Sequence, residues 1–140
     1  MPIQNLARSD VVSAPPETPV AELARRMRDE HVGSVVITDD RAPAGIVTDR
    51  DLATRVLADG SASTERTAGD VMSTDLCAVG PDAGFYEAAE VMSENGVRRL
   101  PICDENDELV GIITADDLTE LLSDESQQLA SVIRAQRPEY

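Results

Sequence analysis

Gly45-Ile46-Val47-Thr48-Asp49-Arg50-Asp51-Leu52 returns 66 positions on as Gly111-Ile112-Ile113-Thr114-Ala115-Asp116-Asp117-Leu118. Each stretch leads from β-branched residues into a Thr followed by acidic residues and a Leu, the pattern of a strand handing over to a helix. Upstream, at an offset of 65, Pro16-Glu17-Thr18-Pro19-Val20-Ala21-Glu22-Leu23 faces Pro81-Asp82-Ala83-Gly84-Phe85-Tyr86-Glu87-Ala88. The lead-in agrees as well, with Asn5-Leu6-Ala7 opposite Asp70-Val71-Met72. Self-similarity at this period means two copies of one supersecondary unit.

The order within each copy follows from the spacing of its apolar residues. A short apolar stretch, Val11-Val12 or Cys77-Ala78-Val79, precedes a Pro. Val20, Leu23, Ala24 and Met27 then recur at helical spacing, as do Phe85, Ala88, Ala89 and Met92. Thr18-Pro19 and Asp82 are the expected caps at the helix starts, and Gly33 and Gly96 the expected exits. Two β-branched runs follow, Ser34 to Thr38 with Gly45 to Val47, and Leu100 to Cys103 with Leu109 to Ile113. Asp39 to Pro43 and Asp104 to Asp107 are long enough for hairpin loops. A second helix starts at Asp49 or Ala115. The unit is therefore β-α-β-β-α, and the fold class is α/β in the α+β sense.

These marks divide the chain into a first repeat over 1–60, a Gly-, Ser- and Thr-containing linker over 61–69, a second repeat over 70–122 and a helical tail over 123–140. A unit of about 60 residues buries too little surface to be stable alone, so the two are expected to pack through their sheets about a pseudo-twofold axis.

The chain has 140 residues, 41% of them apolar and 28% charged, which places it among globular chains. Its 27 acidic residues outnumber 12 basic ones, all Arg, for a net charge of -15. Binding to nucleic acid or to an anionic membrane surface is excluded, since that affinity comes from clustered cations releasing counterions. Self-repulsion of this size is relieved by salt, so the acidity suits a high-salt cytoplasm such as that of a halophilic archaeon. No run of 18 apolar residues occurs, and Met1 to Asp10 lack the marks of a signal peptide, so the expected location is cytoplasmic. Cys77 and Cys103 have no CxxC partner, and His31 is the single histidine. A histidine-based triad and a multi-histidine zinc site are both excluded by count, and no metal site is assigned.

At Thr48 and Thr114 a hydroxyl and free backbone N–H groups are expected to meet at the positive end of a helix dipole, which suits a phosphate. Asp51 and Asp117, three residues on, can accept from the two vicinal hydroxyls of a ribose, as the acid of dinucleotide folds does. A purely structural alternative has Thr capping the helix, Asp complementing the dipole, and Gly45 and Gly111 serving as turn glycines.

The paired Gly-x-x-Thr-x-x-Asp motifs, with Gly96-Val97-Arg98-Arg99-Leu100-Pro101-Ile102 and Asp70-Val71-Met72, resemble the cystathionine-β-synthase (CBS) domain, and the tandem resembles a Bateman module. The resemblance covers about residues 1 to 122. It implies no enzyme and no catalytic cofactor, but a regulatory module that senses adenosine nucleotides (AMP, ADP or ATP) or an adenosyl compound such as S-adenosylmethionine, in clefts between the repeats. It implies further that the basic pair of one repeat reaches phosphates held by the motif of the other, so that Arg50, Arg98 and Arg99 meet Thr48 and Asp51. The cleft of Thr114 and Asp117 is then poor in cations and takes a less anionic adenosyl ligand or none. Adenine is expected against apolar strand ends such as Val12, Ala14, Cys77, Val79 and Ile102. Output would pass through an unidentified effector protein or through a homodimer formed by the helices. Two further readings compete: an interaction scaffold with lapsed clefts, and a Mg2+ phosphohydrolase using Asp39-Asp40, Asp104 to Glu108 and Asp116-Asp117.

Overall fold

The computed structural model describes residues 2–60 and 65–136, so part of the expected linker and the last four residues of the tail lie outside the described residues. The first repeat contains β1 (Ser13–Ala14), α1 (Val20–Glu30), β2 (Ser34–Asp39), β3 (Ala42–Thr48) and α2 (Asp49–Asp51), which runs on as a π-helical segment, Leu52–Leu57. After α3 (Ala68–Val71) come α4 (Phe85–Asn95), β4 (Arg99–Cys103), β5 (Leu109–Thr114) and α5 (Ala115–Gln136). β1 lies parallel to β2, which pairs antiparallel with β3; β4 pairs antiparallel with β5. In the second repeat the counterpart of β1 is a single parallel bridge from Val79 to Ile102. The fold is thus α+β, two sheets carrying helices, with the expected order in both repeats.

Local chemistry corrects several expected boundaries. The residue that ends α1 is His31, left-handed at φ 56°, with its N–H donating to the Met27 carbonyl; Gly33 comes two residues later. Gly96, at φ 63°, ends α4 in the same way. Neither Thr18 nor Asp82 caps a helix, because Pro19 and Gly84 occupy the cap positions and offer no side-chain acceptor. Val20 N–H is satisfied instead by the Arg66 carbonyl at 3.0 Å. The first hairpin turns on two residues, Asp40 and Arg41, at φ 50° and 70°. Such a left-handed pair matches strand twist, so Ala42 and Pro43 join β3. α5 continues without a break through the expected boundary at 122, so repeat and tail share one helix of 22 residues.

The apolar residues form two cores. Leu23, Val35, Ile37 and Val47 pack with Ala68 and Val71, whereas Ile3 packs with Leu100, Ile102 and Ile113. Each lead-in therefore completes the core of the other repeat. Backbone bonds show the same exchange twice: Ala68 N–H donates to the Thr18 carbonyl at 2.8 Å and Ile3 N–H to the Ala83 carbonyl at 2.9 Å. Further along, Ser73 exchanges two hydrogen bonds with Ile46, and Arg8 exchanges two with Ile112. These pairs are related by the same 65- and 66-residue offsets as the sequence repeat. They are the backbone expression of the pseudo-twofold relation.

The exchange also explains the motif glycines. Gly45 and Gly111 sit within β3 and β5, not in turns. A Cβ on Gly45 would lie 2.9 Å from the Ser73 carbonyl oxygen, and one on Gly111 would lie 3.1 Å from that of Arg8. The bare strand face is where the other repeat's backbone crosses.

α3 starts with a reciprocal cap in which Thr67 N–H donates to Asp70 Oδ2 at 2.9 Å. Hydrogen bonds from the Thr67 backbone, then from its side chain, hold the Asp70 carboxyl below its ordinary value of 3.8. A lowered carboxylate pKa contributes stability above the unfolded-state value, and that contribution is lost as pH falls through the folded value. Asp70→Asn should consequently lower the melting temperature at neutral pH and flatten its decline below about pH 4. Melting curves of the two proteins that stay parallel across that range would contradict the assignment.

Candidate functional site

At the end of β3 the chain turns into α2 through a reciprocal cap: Asp51 N–H donates to Thr48 Oγ1 at 3.1 Å and Thr48 N–H to Asp51 Oδ2 at 2.9 Å. The second repeat repeats it, with 3.2 Å from Asp117 N–H to Thr114 Oγ1 and 2.9 Å from Thr114 N–H to Asp117 Oδ2. The structural role of Thr and Asp is thus real in both motifs. It also corrects the expectation of free N–H groups at Thr48. Asp49 N–H donates to the Gly33 carbonyl, Arg50 N–H to Asp49 Oδ1 and Asp51 N–H to Thr48. No donor of that first turn is left for a phosphate, so an anion there needs side-chain cations.

Those cations are present. A cleft of about 310 Å³ opens beside Thr48 and Asp51 and is lined by Arg50, Arg55, Arg98 and Arg99. Four arginines face three carboxylates, Asp49, Asp51 and Asp75. Its apolar wall is Ile46, Leu76, Cys77 and Val97. The size falls at the lower end of the range for small-molecule sites. Arg55, one turn beyond Asp51 in the π-helical segment, brings its Nε within 3.7 Å of Asp51 Oδ1 and donates from Nη1 to the Val71 carbonyl at 3.1 Å. Sequence reasoning missed Arg55, because its counterpart in the repeat, Leu121, gave no sign of a shared role.

A second cleft, about 380 Å³, lies beside Thr114 and Asp117. Arg8 and Arg99 there face Asp10, Glu30, Asp116, Asp117 and Glu120, and the apolar wall includes Val12, Val32 and Ile112. The two clefts are counterparts: Cys77 replaces Val12, Val97 replaces Val32, and Ser73 replaces Arg8 at the same offset. Each combines the Thr-Asp motif of one repeat with the strand entry of the other. Arg8 was legible only through the lead-in exchange, which the sequence does not announce.

Of the expected adenine contacts, Val12 and Cys77 line clefts. Ala14 and Val79 do not, because both are buried in strand contacts with Ile37 and Ile102 respectively. Ile102 is itself buried and borders a separate hollow shared with Ala7, Arg8 and Gly111. Among the described residues no group of three or more His, Cys, Asp or Glu side chains could hold a metal ion. Among them, too, no helix is long and apolar enough to cross a membrane.

Two interlocked β-α-β-β-α units with paired clefts at their junction define a tandem repeat built around small-molecule-sized sites. The chain belongs to the CBS domain family, whose sequence model matches residues 3–58 and 68–124. It is 38% identical over 120 residues to the uncharacterized protein MK0525 of Methanopyrus kandleri, a match covering 85% of this chain but 61% of that protein. It is 32% identical to the CBS domain-containing protein YhcV of Bacillus subtilis, covering 83% of this chain and 81% of YhcV. Among solved structures, the CBS domain pair of protein MJ0100, in complex with 5-methylthioadenosine and S-adenosyl-L-methionine, superposes with a TM-score of 0.81 at 21% identity. That match covers 89% of this chain and 98% of the MJ0100 pair.

Proposed function

We propose that this chain is a regulatory sensor that binds an adenosine nucleotide, AMP, ADP or ATP, in the Asp51 cleft. The observation that carries the reading is the set of four arginines in that cleft on a chain of net charge -15. Four guanidinium groups gathered in one cleft repel one another, and a phosphate is the ligand that relieves that repulsion. Asp51 Oδ1, free of the cap formed by Oδ2, is the acceptor for ribose hydroxyls. Ile46, Leu76, Cys77 and Val97 supply the apolar face for adenine, and Arg50, Arg98 and Arg99 take the phosphates. The Asp117 cleft, with five carboxylates, suits a less anionic adenosyl compound such as S-adenosylmethionine. The CBS pair of MJ0100 is one example of the fold with adenosyl ligands.

Binding transmits a signal only through a difference in affinity between two states of the protein. The output passes to an effector protein or through a homodimer formed by the helices. A specific observation favours one rival: the Thr-Asp caps close on themselves, so the motifs have a structural use even in a scaffold that binds nothing. Thermal shift separates the two. A ligand present at 100 times its Kd stabilises by about 2.7 kcal/mol, several degrees for a chain of this size. AMP, ADP or ATP should raise the melting temperature by that order; no shift with any of them or with S-adenosylmethionine would favour the scaffold.

A further inference from the structure

Arg99 begins β4 opposite Thr114, the threonine of the second cleft, and its side chain lines both clefts. Its Nη2 reaches the bare face of Gly33, 3.1 Å from where a Cβ would stand, and Asp49 Oδ2 lies 3.3 Å from the same point. The counterpart of Arg99 in the first repeat is Ser34, which lines the Asp117 cleft and brings no charge to it. Arg98 is divided in the same way: it lines the Asp51 cleft while its Nη2 is bonded at 3.2 Å to Oδ1 of Asp116, in the wall of the other. Both side chains of that pair are well exposed, 74% and 84%, so little is lost when it opens.

We infer that the two clefts compete for Arg98 and Arg99, so that an anionic ligand in the Asp51 cleft excludes a second anion from the Asp117 cleft. This rests on the nucleotide reading of the Asp51 cleft. A phosphate there draws Arg99 toward Asp49 and Arg50 and releases Arg98 from Asp116. Arg8 alone then faces five carboxylates in the second cleft, and like charges at that spacing repel another phosphate. Linkage makes the antagonism reciprocal. An uncharged adenosyl compound escapes it, so the pair of clefts can report an anionic and a neutral ligand together but not two anions.

Equilibrium dialysis of the full chain against AMP at about 0.1 M salt tests the inference, a condition in which charges within roughly 10 Å still interact. The wild type should saturate at one AMP per chain. Ser34→Arg gives the second cleft a cation besides Arg8, and the double variant Asp116→Asn, Glu120→Gln removes two of its carboxylates; each should raise saturation to two. Two equal sites in the wild type, or one site retained in whichever variant folds, would overturn the competition and leave the nucleotide reading standing. No AMP bound by the wild type would overturn both.

Discussion

Asp51→Ala should weaken AMP binding by about 10- to 100-fold, the range expected when hydrogen bonds to a charged group are lost. The carboxylate has two separate tasks. Oδ2 accepts from Thr48 N–H, and Oδ1 faces Arg55 and the cleft. Removing the side chain therefore also costs the bond from Thr48 N–H, one of the two in the cap, about 1 kcal/mol of stability, while Asp51 N–H keeps its bond to Thr48 Oγ1. Asp117→Ala is the matched comparison, since it removes the same half of the cap from the second repeat at the same geometry. Both variants should melt a few degrees below the wild type, but only Asp51→Ala should lose AMP affinity. Calorimetric titration of the three proteins reads the difference directly. Equal losses in both variants would mean that the nucleotide does not select the arginine-lined cleft.

The second large effect is on the fold. In Gly45→Ala the new Cβ would stand 2.5 Å from Met72 Sδ, 2.8 Å from Met72 Cγ and 2.9 Å from the Ser73 carbonyl oxygen. Met72 can turn aside, but Ser73 cannot: its N–H and C=O are both bonded to Ile46, which sits next to the substituted position. Relief requires the second repeat's lead-in to lift from the first repeat's sheet, carrying Ala68 and Val71 away from their core. Overpacking of this kind costs about 1–3 kcal/mol, or several degrees of melting temperature. Gly80→Ala, with nothing within 4 Å of its Cβ, should change stability by no more than about 0.5 kcal/mol. Denaturant melts that rank the two variants the other way would contradict the crossing as the reason for the motif glycine.

The repeat was readable because it is local: strand, helix and hairpin follow one another within some 60 residues, and apolar spacing marks each one. The Thr-Asp cap was readable for the same reason, its partners being three residues apart. What the sequence concealed lies between distant positions. Ile3 belongs to the core of residues 79–118, and Ala68 to that of residues 12–56, because the lead-ins cross over; no periodicity within a lead-in records its destination. The same crossing puts Arg8 in the second cleft and gives Gly45 and Gly111, which lie in the expected strands and not in the turns of the structural alternative, a place under another backbone. The free N–H groups expected at Thr48 failed on a finer scale, since the Gly33 carbonyl and the Asp49 carboxylate accept from two of them, and neither acceptor is marked by residue type or spacing. Arg50, Arg98 and Arg99 line one cleft with Thr48 and Asp51; no pattern within the chain announced that meeting, which only the family resemblance implied, and their role toward a phosphate is a proposal.

A crystal structure of the chain grown with AMP tests the central proposal most directly. The account predicts nucleotide density in the cleft beside Thr48, with ribose hydroxyls on the Asp51 carboxylate and the phosphate among Arg50, Arg98 and Arg99. Density confined to the Asp117 cleft, or an Asp51 cleft that stays without nucleotide at saturating AMP, would contradict it.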